Sequence, residues 1–168
     1  LALQANRANM AGIAPSYQMP QTIRYSDQSF IMSVTGATEE FLEVRAYKIA
    51  RGRFINETDR KAEARVVVLG SQTAQDLYGG LNAVGRKLKI GGLTFEVIGV
   101  LEAKGSSGFG SANDILLLPL ETGYGRLFGN AAVGHGDYLI NSLSISAESP
   151  ELVDTVMAQV ERILRRQH

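Results

Sequence analysis

Apolar and polar residues alternate most clearly between Val84 and Leu101. Leu88 and Ile90 alternate with Lys87 and Lys89, then Phe95, Val97 and Gly99 alternate with Thr94, Glu96 and Ile98. Period two on either side of Gly91-Gly92 predicts a β-hairpin. A two-residue type I′ turn places both central residues at positive φ, where glycine carries no Cβ penalty. A looser alternation covers Ile13 to Arg24 and Ser29 to Thr35, with Ser26-Asp27-Gln28 as its turn. Pro15 and Pro20 mark the first of these strands as an edge or bulged strand, because proline has no N–H for the ladder. Arg65 to Gly70 is too continuously apolar to be half exposed and predicts a central strand. Ile115 to Leu118, ended by Pro119, predicts a buried strand, and Leu139, Leu143 and Ile145 mark another within Leu139 to Ala147.

Helical spacing is strongest at the C-terminal end. Ser149-Pro150-Glu151 offers an N-cap, a proline at the first helical position and an early carboxylate. Leu152, Val153, Val156, Met157, Val160, Ile163 and Leu164 then share one face, and Arg162, Arg165 and Arg166 sit at the negative end of the dipole. The pattern predicts an amphipathic helix that docks on a core. Ser71 is the expected N-cap of a helix through Thr73, Ala74, Leu77 and Tyr78, closed by Gly79-Gly80. Thr38 is the expected N-cap of a short helix with Glu39 and Glu40 in its first turn. Glu121 to Phe128 reads as helical despite two glycines, and Leu1 to Met10 as a helix end that Gly12 stops. Lys48 to Phe54 reads as a connecting segment, Asn56 to Ala64 as a charged surface loop, and Gly105 to Ser111 and Gly129 to Asp137 as loops.

These pieces predict an α+β fold of two lobes. Residues 37–114 form a small β-rich α/β insert, and 1–36 with 115–168 form a discontinuous α/β lobe that holds both chain ends. A chain of 168 residues buries about 70% of its unfolded surface, enough for a core without staples. There is no cysteine, so disulfides and thiolate zinc sites are excluded; this is compatible with an oxidising compartment. Seventeen basic and seventeen acidic residues cancel, with no basic run longer than Arg165-Arg166, against a nucleic-acid binder. The longest apolar runs, Val66 to Leu69 and Ile115 to Leu120, fall far short of the roughly 20 residues that span a bilayer. The start, LALQANRANM, has no initiator Met and no export signal, and reads as an excised piece of a longer protein.

Candidate chemistry is sparse. A metal site needs convergent ligands, and the chain offers only His135, between two glycines, and the terminal His168, with no HxxxH or HxxE spacing. Gly105-Ser106-Ser107-Gly108 lacks the spacing of a nucleophile elbow, and the stretch to Ser111 has no lysine for phosphate binding. No catalytic, cofactor-binding or metal-binding residue is therefore assigned. Glu39-Glu40 reads as capping carboxylates, and Arg51 and Arg53 around Gly52 as a brace at the junction of the lobes. Phe109, alone in a glycine-rich loop that cannot bury it, is the candidate partner-contact residue.

Taken in order, the pieces resemble the periplasmic domain of the MacB family of ABC-transporter permeases. The matching run is Ile13-Ala14-Pro15, Thr22-Ile23-Arg24-Tyr25, Val34-Thr35-Gly36 with Phe41, Gly52-Arg53-Phe54, and the Val66 to Leu69 strand. It continues through Leu77-Tyr78-Gly79, Val84-Gly85-Arg86, Phe95-Glu96-Val97-Ile98-Gly99-Val100, Pro119 and Arg126-Leu127-Phe128-Gly129. The resemblance implies a porter-like discontinuous lobe with an inserted lobe, set between two transmembrane helices outside this sequence. It implies a homodimeric inner-membrane permease that exports substrate, with this domain on the periplasmic side. A periplasmic adaptor would meet its membrane-distal end and lead to an outer-membrane channel. ATP would be hydrolysed by a separate cytoplasmic domain, while this one transmits motion without cofactor or catalytic residues. A lipoprotein-releasing or cell-division type of permease is the alternative within the superfamily. A hydrolase using His135 and a ligand-binding module are the alternatives outside it.

Overall fold

A computed structural model describes residues 7–105 and 112–167. Among them the chain runs β1 (Met10–Tyr25), β2 (Gln28–Ala37), α1 (Phe41–Val44), β3 (Ile49–Gly52), α2 (Glu57–Lys61), β4 (Val66–Leu69) and α3 (Ser71–Tyr78). It continues with β5 (Lys87–Ile90), β6 (Leu93–Leu101), β7 (Leu116–Pro119), α4 (Leu120–Thr122), β8 (Val133–Gly134), β9 (Asp137–Tyr138), β10 (Ser142–Ala147) and α5 (Val153–Gln167).

The long hairpin of β1 and β2 turns at Ser26-Asp27, with Ser26 at φ 55°. Contrary to the edge reading, β1 is paired on both flanks, but not everywhere. β10 pairs with Met10 to Ser16, β2 with Ser16 to Tyr25, and β5 with Ile23 and Arg24. Pro15 and Pro20 each fall where one flank is open, so a missing N–H is tolerated. The bulge lies elsewhere, between Met10 and Gly12. Gly12 is thus inside a strand and stops no helix; a Cβ there would press on Val44.

Pairing then closes on itself. β1 pairs with β2, β2 with β7, β7 with β4, β4 with β6, β6 with β5, and β5 with β1. The result is a six-stranded barrel, with β10 and β3 as outer additions to β1 and β6. All six strands point apolar residues inward: Ile23, Val34, Leu116, Leu118, Val67, Leu69, Phe95, Val97, Leu88 and Ile90 form one buried cluster, joined by Leu77 and Tyr78 of α3. A small barrel filled by side chains in this way has no lumen.

Gly91 and Gly92 take φ of 56° and 86° between β5 and β6, as the two-residue turn requires. The alternation along β6 does not run unbroken to Gly99. In the β4 register Val67 faces Val97 and Val68 faces Gly99, so Ile98 is an extra residue and the side chains change faces there. Beyond it Leu101 joins a second cluster outside the barrel, where Phe41, Tyr47 and Ile55 cover Val68 and Leu117. The segment Lys48 to Phe54 is therefore no mere connector. It contains β3, which lies so close to the β6 bulge that a Cβ on Gly52, at φ 72°, would overlap the Ile98 carbonyl oxygen.

Two caps differ from the sequence reading. The N-cap of α1 is Glu40, not Thr38, and that of α3 is Gly70, with Ser71 the first helical residue. Asn56 to Ala64 is not a loop but holds α2, started by a capping box in which the Asn56 side chain accepts from Asp59 N and the Asp59 carboxylate accepts from Asn56 N. After α4 the chain continues as a π-helix, Gly123–Leu127. The loop from Gly129 holds a 3-10 turn and the small β8–β9 hairpin.

Strands of the insert and of the discontinuous lobe share the barrel: β4, β5 and β6 come from 37–114, and β1, β2 and β7 from the flanking stretches. The seams are short, two residue pairs at β4·β7 and two at β1·β5.

Candidate functional site

Of the residues singled out in the sequence, Phe109 lies outside the described residues, as do Ser106, Ser107 and His168. His135 is exposed at φ 51° in the two-residue turn between β8 and β9, beside Gly136 at φ 85°. A turn explains it fully. No group of three or more His, Asp or Glu side chains converges among the described residues.

Glu40 holds the N-cap position of α1, yet neither its side chain nor that of Glu39 bonds to the helix end. Glu40 reaches across to β1, accepting from Ile13 N at 3.0 Å and from Arg7 at 2.6 Å, which satisfies an amide beside the β1 bulge. Glu39 accepts from Arg60 Nη2 of α2 at 3.1 Å, and the same guanidinium donates through Nη1 to Glu121 of α4 at 3.0 Å. Arg60 is thus among the side chains that bridge insert and flanking lobe, a role that the sequence reading gives to Arg51 and Arg53. Arg53 instead forks onto Asp59 at 2.7 and 3.0 Å, inside the insert. This hydrogen bonding holds the Asp59 carboxyl below its usual range, against the opposing effect of its burial. Thr122 Oγ1 donates to the Ala64 carbonyl at 2.8 Å and Arg126 Nε to the Glu63 carbonyl at 3.0 Å, so the segment just after α2 is held on α4 and the π-helix that follows it.

Two exposed surfaces stand out. The first is a groove of about 630 Å³ between β10 and α5, walled by Leu143, Ile145, Val153, Met157, Val160 and Leu164. The helix docks by a narrower stripe than its sequence face predicts: Val156 is 5% exposed against Met10 and Ile13, whereas Met157 is 64% exposed. Sequence periodicity records which residues share a face but not how much of that face is covered. The second surface is aromatic. Tyr124 stacks on Tyr138 at 4.3 Å, and the buried rings of Tyr17 and Phe128 pack beneath Tyr124. Burial pushes the Tyr124 hydroxyl up to about 12, and it donates to the Leu139 carbonyl at 2.5 Å. Both surfaces suit contact with another apolar surface, and neither sets out a nucleophile with a base.

The model of the family described as MacB-like periplasmic core domain matches residues 1–163. A macrolide export ATP-binding/permease protein MacB of Rhodospirillum rubrum is 34% identical over 167 residues, covering 98% of this chain and 25% of that protein. The protein of the same name from Wolinella succinogenes is 28% identical over 150 residues, covering 89% and 23%. The chain therefore spans about a quarter of the length of these curated relatives. Among solved structures, the periplasmic region of MacB from Actinobacillus actinomycetemcomitans superposes with a TM-score of 0.80 at 18% identity, over 99% of this chain and 72% of that one. The extracellular domain of the noncanonic ABC-type transporter YknZ from Gram-positive bacteria superposes with a TM-score of 0.67 at 18% identity, over 92% and 75%.

Proposed function

Since the chain belongs to the MacB-like periplasmic core domain family, we propose that it is the extracytoplasmic part of an ABC-transporter permease of the macrolide-exporter type. The observation that carries this reading is the family match across nearly the whole chain, joined by relatives named as export permeases. In this proposal the domain hangs from transmembrane helices supplied by the rest of the protein and works in a homodimer. It transmits the motion of ATP hydrolysis in a separate cytoplasmic domain and docks a periplasmic adaptor that leads to an outer-membrane channel. The discontinuous lobe, 1–36 and 115–168, carries the attachment to the membrane, and the insert, 37–114, stands on it.

The physical case for transmission is stiffness. A closed barrel with a filled interior and an ion-paired junction at Arg60 passes a displacement from one end to the other instead of absorbing it. The work requires no chemistry at the domain itself, in keeping with a non-enzymatic role. A similar fold occurs in the extracellular domain of a transporter from Gram-positive bacteria.

Fractionation of the native source with an antibody to this chain tests the proposal. The expected band is several-fold larger than 18.1 kDa and confined to the membrane fraction. A soluble band near 18.1 kDa overturns it.

A further inference from the structure

Arg24 of β1 and Lys89 of β5 stand directly opposite each other on the outer face of the barrel. Like charges in opposed positions of neighbouring strands repel and cost stability. The row they belong to crosses four strands, since Lys89 also faces Thr94 of β6 and Arg24 faces Ser29 of β2. Lys87 lies two residues along the same face of β5, so a third cation lines the same cleft, of about 350 Å³. The nearby acids are Glu96, opposite Lys87, and Asp27 in the β1–β2 turn. Arg24, Lys87 and Lys89 take part in none of the ion pairs among the described residues. The whole chain is neutral, so this is a local segregation of charge and not a general excess.

We propose that this face is a docking surface for an acidic segment of a protein partner, with side-chain carboxylates seated between Arg24, Lys87 and Lys89. An extended peptide presents alternate side chains on one side about 7 Å apart, the spacing of Lys87 and Lys89 along their own strand. Carboxylates at alternate positions of such a segment relieve the Arg24–Lys89 repulsion as they bind. Three cations are too few for the broad basic face by which duplex nucleic acid is held. Arg24 is 14 residues along β1 from Met10, about 45 Å of strand, so the surface lies at the opposite end of β1 from the α5 groove. That this end faces away from a membrane rests on the function proposed above; the charge of the surface does not.

The test uses the 168-residue chain, labelled with ¹⁵N and titrated with an end-capped ten-residue peptide of alternating glutamate and serine. The expected amide shifts cluster at residues 23–26, 87–90 and 94–96. Lys89→Glu, which makes its pairing with Arg24 attractive, should weaken the peptide by about tenfold or more while leaving Tm unchanged or higher. Arg24→Gln should weaken it too, and serves if the first variant misfolds. Shifts centred on Arg51 or on Arg162, Arg165 and Arg166, no shifts at all, or unaltered affinity in both variants overturn the proposal. Tighter binding of inorganic phosphate, or of vesicles of phosphatidylcholine and phosphatidylglycerol, overturns it as well. Because the isolated chain is used, failure here leaves the permease reading standing, and failure of the fractionation leaves this surface standing.

Discussion

Asp59 does three things with one carboxylate. It accepts from Asn56 N at 3.0 Å, receives both arms of Arg53, and so ties the start of α2 to the residue beside Gly52. Its side chain is only 9% exposed, so removing the charge leaves the half-exposed Arg53 without its fork. Asp59→Ala should cost about 1–2 kcal/mol at neutral pH, the sum expected of a lost cap and a partly exposed pair. The pH dependence has a definite sign. The folded-state pKa lies below the ordinary value of 3.8, so the native state binds fewer protons, and the stabilisation is complete above that value and lost as pH falls through the folded value. Thermal melts between pH 7 and pH 3 should show the gap between parent and Asp59→Ala closing toward the acid end; a constant gap would mean that the carboxylate charge contributes nothing. Part of this was legible, because asparagine followed three residues later by an acid is a helix-start pattern. The rest is not, because α2, at five residues, has no apolar periodicity to tell it from a charged loop.

Elements were legible where their signal was local. The Gly91-Gly92 hairpin, the buried run of β4 and the spacing of α5 all follow from residues close in sequence. What escaped the pattern depended on partners far along the chain. The β6 bulge at Ile98 exists because β4 and β3 pair with that strand, and β10 looks like any half-apolar strand until β1 is placed beside it. The helix α5 shows the same limit, since its face is wider than the sheet edge beneath it. Val156→Ala, which empties a contact with Met10 and Ile13, should therefore cost on the order of 2 kcal/mol. Met157→Gln on the uncovered part of the face should stay within about 0.5 kcal/mol. Denaturant melts of the two variants decide the matter: equal losses would mean that α5 packs more fully than its exposure indicates.

At the scale of the molecule, the chain order and the spatial order disagree. Residues 37–114 leave β2 and return at β7 as a block, which is why the sequence suggests an insert with its own core. Yet the strands of that block complete a ring with β1, β2 and β7, and the principal core draws residues from both sides of the division. No local pattern announces this, because β5 meets β1 across more than 60 residues of chain and through only two residue pairs. The seams are short in hydrogen bonds but continuous in packing, since Ile23 and Ile90 face each other as members of one buried cluster. Burial of shared apolar surface dominates such balances, so neither block keeps an intact core without the other. Urea unfolding followed in parallel by far-UV circular dichroism and tyrosine fluorescence should give one coincident transition. Ile90→Ala should shift both signals together by about 2–4 kcal/mol, because the residue belongs to the ring and not to the insert alone. Two separated transitions, with Ile90→Ala moving only one, would show instead that insert and flanking lobe fold independently and meet as neighbours. Transmission through the domain would then need a hinge where the ring now offers a strut.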